Sequence, residues 1–171
     1  MRKNSLNYDA LEKEIKKPRK NSRRKGANFE RKLAKQFEDR FDQPFMRTPG
    51  SGAFATTHRG KGILSELRGD LIVPQGFKFL IEAKSGYVSH LYMDKLFDPR
   101  SKLYEFIRQA KRDAEKAHKE WMIIWKGDRK KPLVFIQKDR FPSAPKVIVN
   151  TNCYMYKLEN LINMPDCFWF K

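Results

Sequence analysis

The chain has 171 residues, in which 37 lysines and arginines against 20 aspartates and glutamates give a net charge of +17 at pH 7. That length suits a single domain, and a hydrophobic content of 40% with 13 phenylalanines argues against general disorder. No stretch approaches the roughly 20 apolar residues of a membrane span, and the start lacks the apolar region of a signal peptide. The two cysteines, Cys153 and Cys167, are too few for a disulfide framework or a four-ligand zinc site.

The positive charge predicts a polyanionic partner, most often nucleic acid, without separating a binding protein from an enzyme. It is concentrated in residues 1–25, which carry ten basic side chains against three acidic ones. We predict that this segment is a flexible basic arm whose Arg23, Arg24 and Lys25 contact phosphates; the alternative is a solvated tail. Residues 26–171 are predicted to form one domain, with a C-terminal extension after about residue 138. The two cysteines are expected to stay reduced, which indicates a cytoplasmic protein.

The hydrophobic pattern predicts helices and strands along this domain. In chain order these are a helix through Phe29, Leu33, Phe37 and Phe41, a strand at 45–48, a glycine-bearing loop over 49–69, strands at 70–73 and 78–84 joined by a turn at 74–76, a helix from Leu103 to Ala117, strands at 121–125, 133–137 and 146–149, and a short helix near 157–162. This order is typical of an α/β fold in which helices flank a mixed central β-sheet. The aromatic residues 168–170 are expected either to fold back onto the core or to enter a partner subunit.

Three charged residues stand out in the two strands before the second long helix. Asp70 opens the first strand, and Glu82 and Lys84 share a face of the second because residues i and i+2 of a strand point the same way. If the two strands form a hairpin, Asp70 lies beside Glu82, where two carboxylates repel unless a cation lies between them. Oxygen ligands suit Mg²⁺, with Mn²⁺ as a substitute, and Lys84 is placed to help activate water. Taken alone, the pattern also fits a charge cluster on a half-exposed hairpin.

Four sequence segments in a fixed order carry a family resemblance. They are RKGANFERKL at 24–33, RTPGSG at 47–52, GDLIV at 69–73 and IEAKS at 81–85. This order resembles the PD-(D/E)XK nuclease superfamily and, within it, the archaeal-type Holliday junction resolvases, which also occur in phages. The resemblance covers residues 23–137. It departs in the longer loop over residues 52–69, in the bulky segment 87–99, and in the N-terminal arm and the tail after Gln137, which have no clear counterpart in the family. Gly69 also stands in place of the proline of the superfamily name, a position that varies widely in the superfamily.

The resemblance implies a restriction-endonuclease-like core with a site made of Glu30, Ser51, Asp70, Glu82 and Lys84. It also implies that the metal is bound by Asp70, Glu82 and the backbone carbonyl of Ala83, with Glu30 supporting a ligand or a water. The reaction expected from the family is Mg²⁺-dependent hydrolysis of DNA phosphodiesters in a four-way junction. Resolution needs two matched cuts, and the family resemblance implies a homodimer that presents two sites. If the gene is from a phage, the protein would act in the host cytoplasm.

Further residues are predicted to hold the substrate or to orient water. The cations predicted to contact DNA phosphates within the domain are Arg47, Arg59, Lys61, Arg68 and Arg108. Gln109, on the second long helix, is a candidate for positioning the attacking water, with an ordinary exposed glutamine as the alternative. A serine between glycines, such as Ser51, is also typical of a plain turn.

Two other functions stay open at this point. One is a PD-(D/E)XK nuclease that acts on a flap, a fork, a mismatch or plain duplex DNA. The other is a basic DNA-binding protein without catalysis, which explains the net charge equally well. The second alternative does not explain why two acids and a lysine occur at nuclease spacing in a cationic protein.

Overall fold

The computed structural model describes residues 22–49, 68–87, 90, 92–137, 147–150 and 153–171, the strand at 147–150 by its backbone alone. The elements are helix α1 (Ser22–Phe41), strands β1 (Met46–Arg47), β2 (Leu71–Ile72) and β3 (Phe79–Ser85), helices α2 (Met93–Leu96) and α3 (Lys102–Lys116), strands β4 (Glu120–Lys126), β5 (Leu133–Gln137), β6 (Val147–Asn150) and β7 (Cys153–Lys157), and helices α4 (Leu158–Leu161) and α5 (Asp166–Trp169). The predicted arm up to residue 21, and Ser51, Arg59 and Lys61 of the predicted loop, lie outside the described residues. None of the described helices is long and apolar enough to cross a membrane.

Five strands form the central sheet, in the order β3-β4-β5-β7-β6. Strands β3 and β4 are parallel and are connected through α3, whereas the other neighbours pair antiparallel. Parallel neighbours need such a crossover connection, and a helix normally provides it. The predicted mixed sheet with flanking helices is therefore confirmed.

The side chains of β3 alternate between two hydrophobic clusters on opposite faces of the sheet. Phe79 and Ile81 belong to the cluster formed with α1, α4 and α5, whereas Leu80 packs with Leu103 and Ile107 of α3. Because helices cover both faces, the strand is apolar on both sides rather than alternating with polar residues. A carboxylate in the same strand is therefore placed among buried neighbours.

The predicted hairpin between residues 70–73 and 78–84 is wrong. β2 pairs antiparallel with β1 and not with β3. The C-terminal segment occupies backbone groups that a hairpin would use, because Lys78 N–H donates to the Trp169 carbonyl at 2.8 Å and Lys171 N–H donates to the Gly76 carbonyl at 2.9 Å. Asp70 nevertheless reaches β3, since its N–H donates to the Ile81 carbonyl at 2.9 Å.

Both ends of the described chain differ from the expectation in detail. Helix α1 begins at Ser22, so Arg23, Arg24 and Lys25 lie in its first turns rather than in the arm. Strand β7 was not predicted, because its side chains are apolar or aromatic on both faces and lack a period of two. The C-terminal aromatic residues fold back onto the core, where Trp169 is fully buried with its ring centre 5.5 Å from that of Phe37.

Candidate active site

Hydrogen bonds hold Asp70 at the free edge of β3. Its N–H donates to the Ile81 carbonyl at 2.9 Å, and its carboxylate Oδ2 accepts the Ala83 N–H at 2.8 Å. On its other side, the Thr48 N–H donates to the Asp70 carbonyl at 3.0 Å. Backbone groups of β3 and of Thr48, which directly follows β1, therefore fix the position of the Asp70 carboxylate.

Gly69 makes this close approach sterically feasible. Its φ of +81° lies in the left-handed region, and a Cβ at this position would lie 2.9 Å from the Ile81 carbonyl oxygen and 3.0 Å from Leu80 Cγ. Another residue would strain the backbone and push Asp70 away from β3. Glycine in place of the superfamily's proline therefore has a positioning role in this chain.

Glu82 and Lys84 project from β3 toward α3. The Glu82 side chain is only 6% exposed, and Lys84 Nζ donates to its Oε2 at 2.9 Å. The same ammonium group lies 5.0 Å from the centre of the Phe106 ring on α3. Burial lowers the pKa of Lys84, but the charges of Glu82 and Asp70 raise it by more, so the pKa stays above its ordinary value. The site therefore contains a fixed positive charge at neutral pH.

The charge of Glu82 opposes the ionisation of Asp70. The pKa of Asp70 is raised to about 7, first by burial and then by the charge of Glu82. Lys84 and the hydrogen bond from the Ala83 N–H lower it in part, and Glu30 adds to the repulsion. A carboxyl group with a pKa near neutrality, next to a second carboxylate, is typical of a functional site that a further cation completes.

Glu30 approaches the site from α1. It is 8% exposed, and Arg47 Nε of β1 donates to its Oε2 at 2.5 Å. The structure thus directs the Arg47 guanidinium to Glu30, and its predicted phosphate contact stays a prediction. Glu30 influences Asp70 through its charge and is held in place by this ion pair.

The family comparison adds an independent finding to this geometry. A family model described as "Phage putative PDDEXK endonuclease" matches residues 21–163, a range that includes Glu30, Asp70, Glu82 and Lys84. The chain belongs to this PDDEXK family. Searches of curated proteins and of solved structures return no match. Family membership identifies the protein as a nuclease with an α/β PD-(D/E)XK core, and it does not distinguish among DNA substrates.

The donor atoms of this PDDEXK site suit a hard divalent cation, the kind of metal that such nucleases typically use. Asp70 and Glu82 supply carboxylate oxygens. The Ala83 N–H points toward Asp70, and its carbonyl faces the same edge because the two groups of a strand residue point the same way. Among the described residues, no three histidine, cysteine, aspartate or glutamate side chains form a metal-binding group. A cation bound here would therefore keep several waters, as Mg²⁺ does.

Three further predicted residues, Arg68, Arg108 and Gln109, lie on α3 or directly before Gly69. Gln109 lies on the same flank of α3 as Phe106 and Asp113, since helix positions three and four apart are neighbours. Arg68, directly before Gly69, places its Nη1 4.0 Å from Asp113 Oδ1. Arg108 is exposed on α3. Their roles in binding or in water placement stay predictions.

Thr48 and Tyr87 are two neighbours of the site that the sequence pattern does not mark. Thr48 donates its N–H to Asp70, and its hydroxyl is buried without a hydrogen-bond partner among the described residues. Tyr87 is 51% exposed, adopts a φ of 56° and packs its ring 5.7 Å from that of Phe106. Neither residue type signals a role by itself. Only their positions in the sequence could have identified them, because Thr48 directly follows Arg47 and Tyr87 lies three residues after Lys84.

Proposed function

We propose that the protein is a Mg²⁺-dependent DNA endonuclease that resolves four-way junctions by paired hydrolysis of phosphodiester bonds. The observation that carries the proposal is the arrangement at the edge of β3, where Asp70 and Glu82 approach each other beside the ammonium group of Lys84. Bringing two carboxylates together in a partly buried site costs free energy unless a cation compensates them. A surface charge cluster does not account for that cost. The net charge of +17 supports a polyanionic substrate.

The residues of the site divide the chemistry among them. Asp70, held by the Ala83 N–H, and Glu82 would bind the cation together with the Ala83 carbonyl. When bound, that cation polarises the phosphate and lowers the pKa of a coordinated water. Lys84, oriented by Glu82, presents positive charge where negative charge develops during attack on the phosphorus. The products would be a 5′-phosphate and a 3′-hydroxyl.

A four-way junction is the proposed substrate on two grounds. The order of the four sequence segments resembles that of archaeal-type resolvases, and the chain's positive charge suits a branched DNA that presents several backbones at once. Such a junction is roughly two-fold symmetric, and two matched cuts call for two equivalent sites. A homodimer provides them.

Cleavage of end-labelled DNA tests this proposal. We expect the wild-type protein to cut a four-way junction in Mg²⁺ or Mn²⁺ and to cut it faster than linear duplex, flap, fork or single-stranded DNA. Asp70→Asn, Glu82→Gln and Lys84→Ala should each lower the rate by about 10²–10³-fold or more. The matched controls are Asp39→Asn and Glu159→Gln, which alter exposed acids outside the site and should cut normally.

The outcomes separate the alternatives. If Asp70→Asn and Glu82→Gln both keep full activity, the site assignment is wrong. Faster cleavage of plain duplex or of a flap would reject junction resolution and keep the nuclease. Salt-dependent binding without cleavage in either metal would indicate a DNA-binding protein instead. Light scattering on the protein–junction complex measures whether two subunits bind one junction.

A further inference from the structure

A second charged feature lies at the C-terminal end of β3, outside the acidic site. It is a cleft of about 480 Å³ between the start of α1 and the turn that follows β4, and this volume lies within the range of ligand-binding pockets. Its charged lining residues are Arg24, Lys25, Lys32, Lys126, Arg129 and Asp128. Five cations against one anion in a concave surface concentrate positive potential and attract anions.

Three cations of the lining, Lys32, Lys126 and Arg129, form no ion pair with an acid in the part of the chain that the structure describes. Asp128, the one acidic residue of the lining, forms an ion pair with Lys25. Lys126 Nζ lies 6.0 Å from the centre of the Phe29 ring, which orients an ammonium group without neutralising it. The arrangement therefore does not resemble a network of ion pairs that stabilises a fold.

The turn after β4 holds one of these cations in an unfavourable backbone conformation. Arg129 has a φ of 56°, in the left-handed region that favours glycine or asparagine. The Lys130 N–H closes the turn by donating to the Gly127 carbonyl at 3.2 Å. An arginine at this position is disfavoured relative to glycine, because its Cβ crowds the following carbonyl oxygen. Backbone strain of this kind is concentrated at functional sites. Here the strained backbone holds Arg129 in the lining of the cleft.

The cleft and the acidic site share one end of the same strand. Ser85 lines the cleft and directly follows Lys84, at a rise of about 3.3 Å along the strand. Ser85 pairs with Lys126 across β3 and β4, and their side chains face α1, whereas Glu82 and Lys84 face α3. A DNA strand bound at the acidic site would therefore pass close to the cleft.

We propose that this cleft binds a backbone phosphate of the DNA that flanks the scissile phosphate. The proposal rests on the proposed nuclease function, and it adds Lys32, Lys126 and Arg129 to the substrate contacts. DNA is favoured over an acidic protein as the occupant because Ser85 of the cleft lining directly follows Lys84 of the nuclease motif along β3. The cleft thus determines how far the contact between protein and duplex extends on one side of the cut.

Equilibrium binding in an Asp70→Asn background tests the cleft without cleavage. The probe is a fluorescein-labelled four-way junction, with a linear duplex of the same arm sequence beside it, titrated by anisotropy over a series of NaCl concentrations. Arg129→Gly removes the cation and relieves the backbone, and Lys32→Ala removes an exposed helical cation, so both variants should fold. Each should raise Kd roughly three- to tenfold and reduce the slope of log Kd against log salt by about 1.

A variant of opposite sign strengthens the test. Asp128→Asn removes the acid that pairs with Lys25, and it should tighten binding by up to about fivefold. The controls are His118→Gly, which relieves a φ of 51° without removing a phosphate-binding cation, and Lys116→Ala, an exposed cation near the N-terminal end of β4. Both should leave Kd and the salt slope unchanged.

The results separate this proposal from the proposed function. If the wild-type protein cuts DNA but Arg129→Gly, Lys32→Ala and Asp128→Asn leave Kd and the slope unchanged, the cleft proposal is wrong and the nuclease stands. An acidic protein would then be the remaining occupant. If the cleft variants change Kd as expected while no DNA is cut, the cleft stands and the nuclease falls. Equal thermal unfolding of the variants shows that the changes in Kd are local.

Discussion

The two ends of β3 have opposite environments. At its N-terminal end, Phe77 and Phe79 lie against Trp169, and all three side chains are almost completely buried. At its C-terminal end, the same strand collects the carboxylate of Glu82 and the ammonium group of Lys84 within 2.9 Å of each other. Only Leu80 and Ile81 separate the buried aromatic cluster from the charged cluster along the strand.

This difference distinguishes residues that stabilise the fold from residues that are proposed to carry the chemistry. At the N-terminal end of β3, aromatic rings meet edge to face and exclude water, which stabilises the core. At the charged end, burial and Glu82 raise the pKa of Asp70 to about 7, so its ionised form opposes folding. Substitutions at the two ends should therefore change stability in opposite directions, as the trade-off between stability and activity predicts.

The largest expected effect on stability comes from the aromatic cluster at the N-terminal end of β3. Trp169→Ala should lower the free energy of unfolding by roughly 3–5 kcal/mol, because it leaves a cavity among Phe37, Phe77 and Phe79. Urea unfolding followed by circular dichroism measures the change. The control is Phe97→Ala, which removes an aromatic ring that is 57% exposed and should cost less than about 0.5 kcal/mol. Equal losses in the two variants would mean that the C-terminal segment does not seal the core.

Two glycines with the same backbone angle provide the next test. Gly69 has a φ of +81° and Gly76 a φ of +80°, but only a Cβ at Gly69 would collide with β3. Gly69→Ala should therefore lower the free energy of unfolding by about 1–3 kcal/mol and reduce cleavage, because Asp70 moves. Gly76→Ala should show the smaller cost of the backbone angle alone, about 1 kcal/mol, with normal cleavage. Urea unfolding and the junction assay measure both, and identical results for the two variants would contradict the contact with β3.

Periodicity predicted the parts of the molecule that depend on local pattern. The apolar residues of α1 and α3 recur at helical spacing, and the strands β4 and β5 are short apolar runs, so both kinds of element were predicted correctly. The shared face of Glu82 and Lys84 follows from the period of a strand. These features need no knowledge of distant parts of the chain.

Pairing between distant segments was the part that the sequence did not reveal. The hairpin prediction failed because the tail near Trp169 supplies partners for residues 76–78, more than ninety positions earlier in the chain. The cleft escaped notice for a similar reason, since Arg24, Lys126 and Arg129 come together only when α1 packs beside the end of β4. The sequence of a basic chain does not show which of its cations become neighbours in the fold.

The smallest expected effect is a gain in stability at the charged end. Asp70→Asn keeps an acceptor for the Ala83 N–H but cannot ionise. The pKa of this carboxyl group is near 3.8 in the unfolded chain and about 7 in the folded protein. Its contribution to folding stability is therefore fully present below about pH 4 and is lost as the pH rises through 7. In EDTA at pH 8, Asp70→Asn should therefore raise Tm, by about 2–4 °C for each kcal/mol of stability gained in a chain of this length.

Scanning calorimetry at pH 5 and pH 8 measures this gain, which should be larger at pH 8 because the wild-type carboxylate is then fully ionised. Added Mg²⁺ or Mn²⁺ should raise Tm of the wild-type protein and leave Asp70→Asn almost unchanged, since a cation that binds only the folded site stabilises it. Asp39→Asn, an exposed acid on α1, should respond to neither. If Asp70→Asn is the less stable protein at pH 8 in EDTA, the charged carboxylate stabilises the fold, and the two ends of β3 do not differ in the way inferred from their environments.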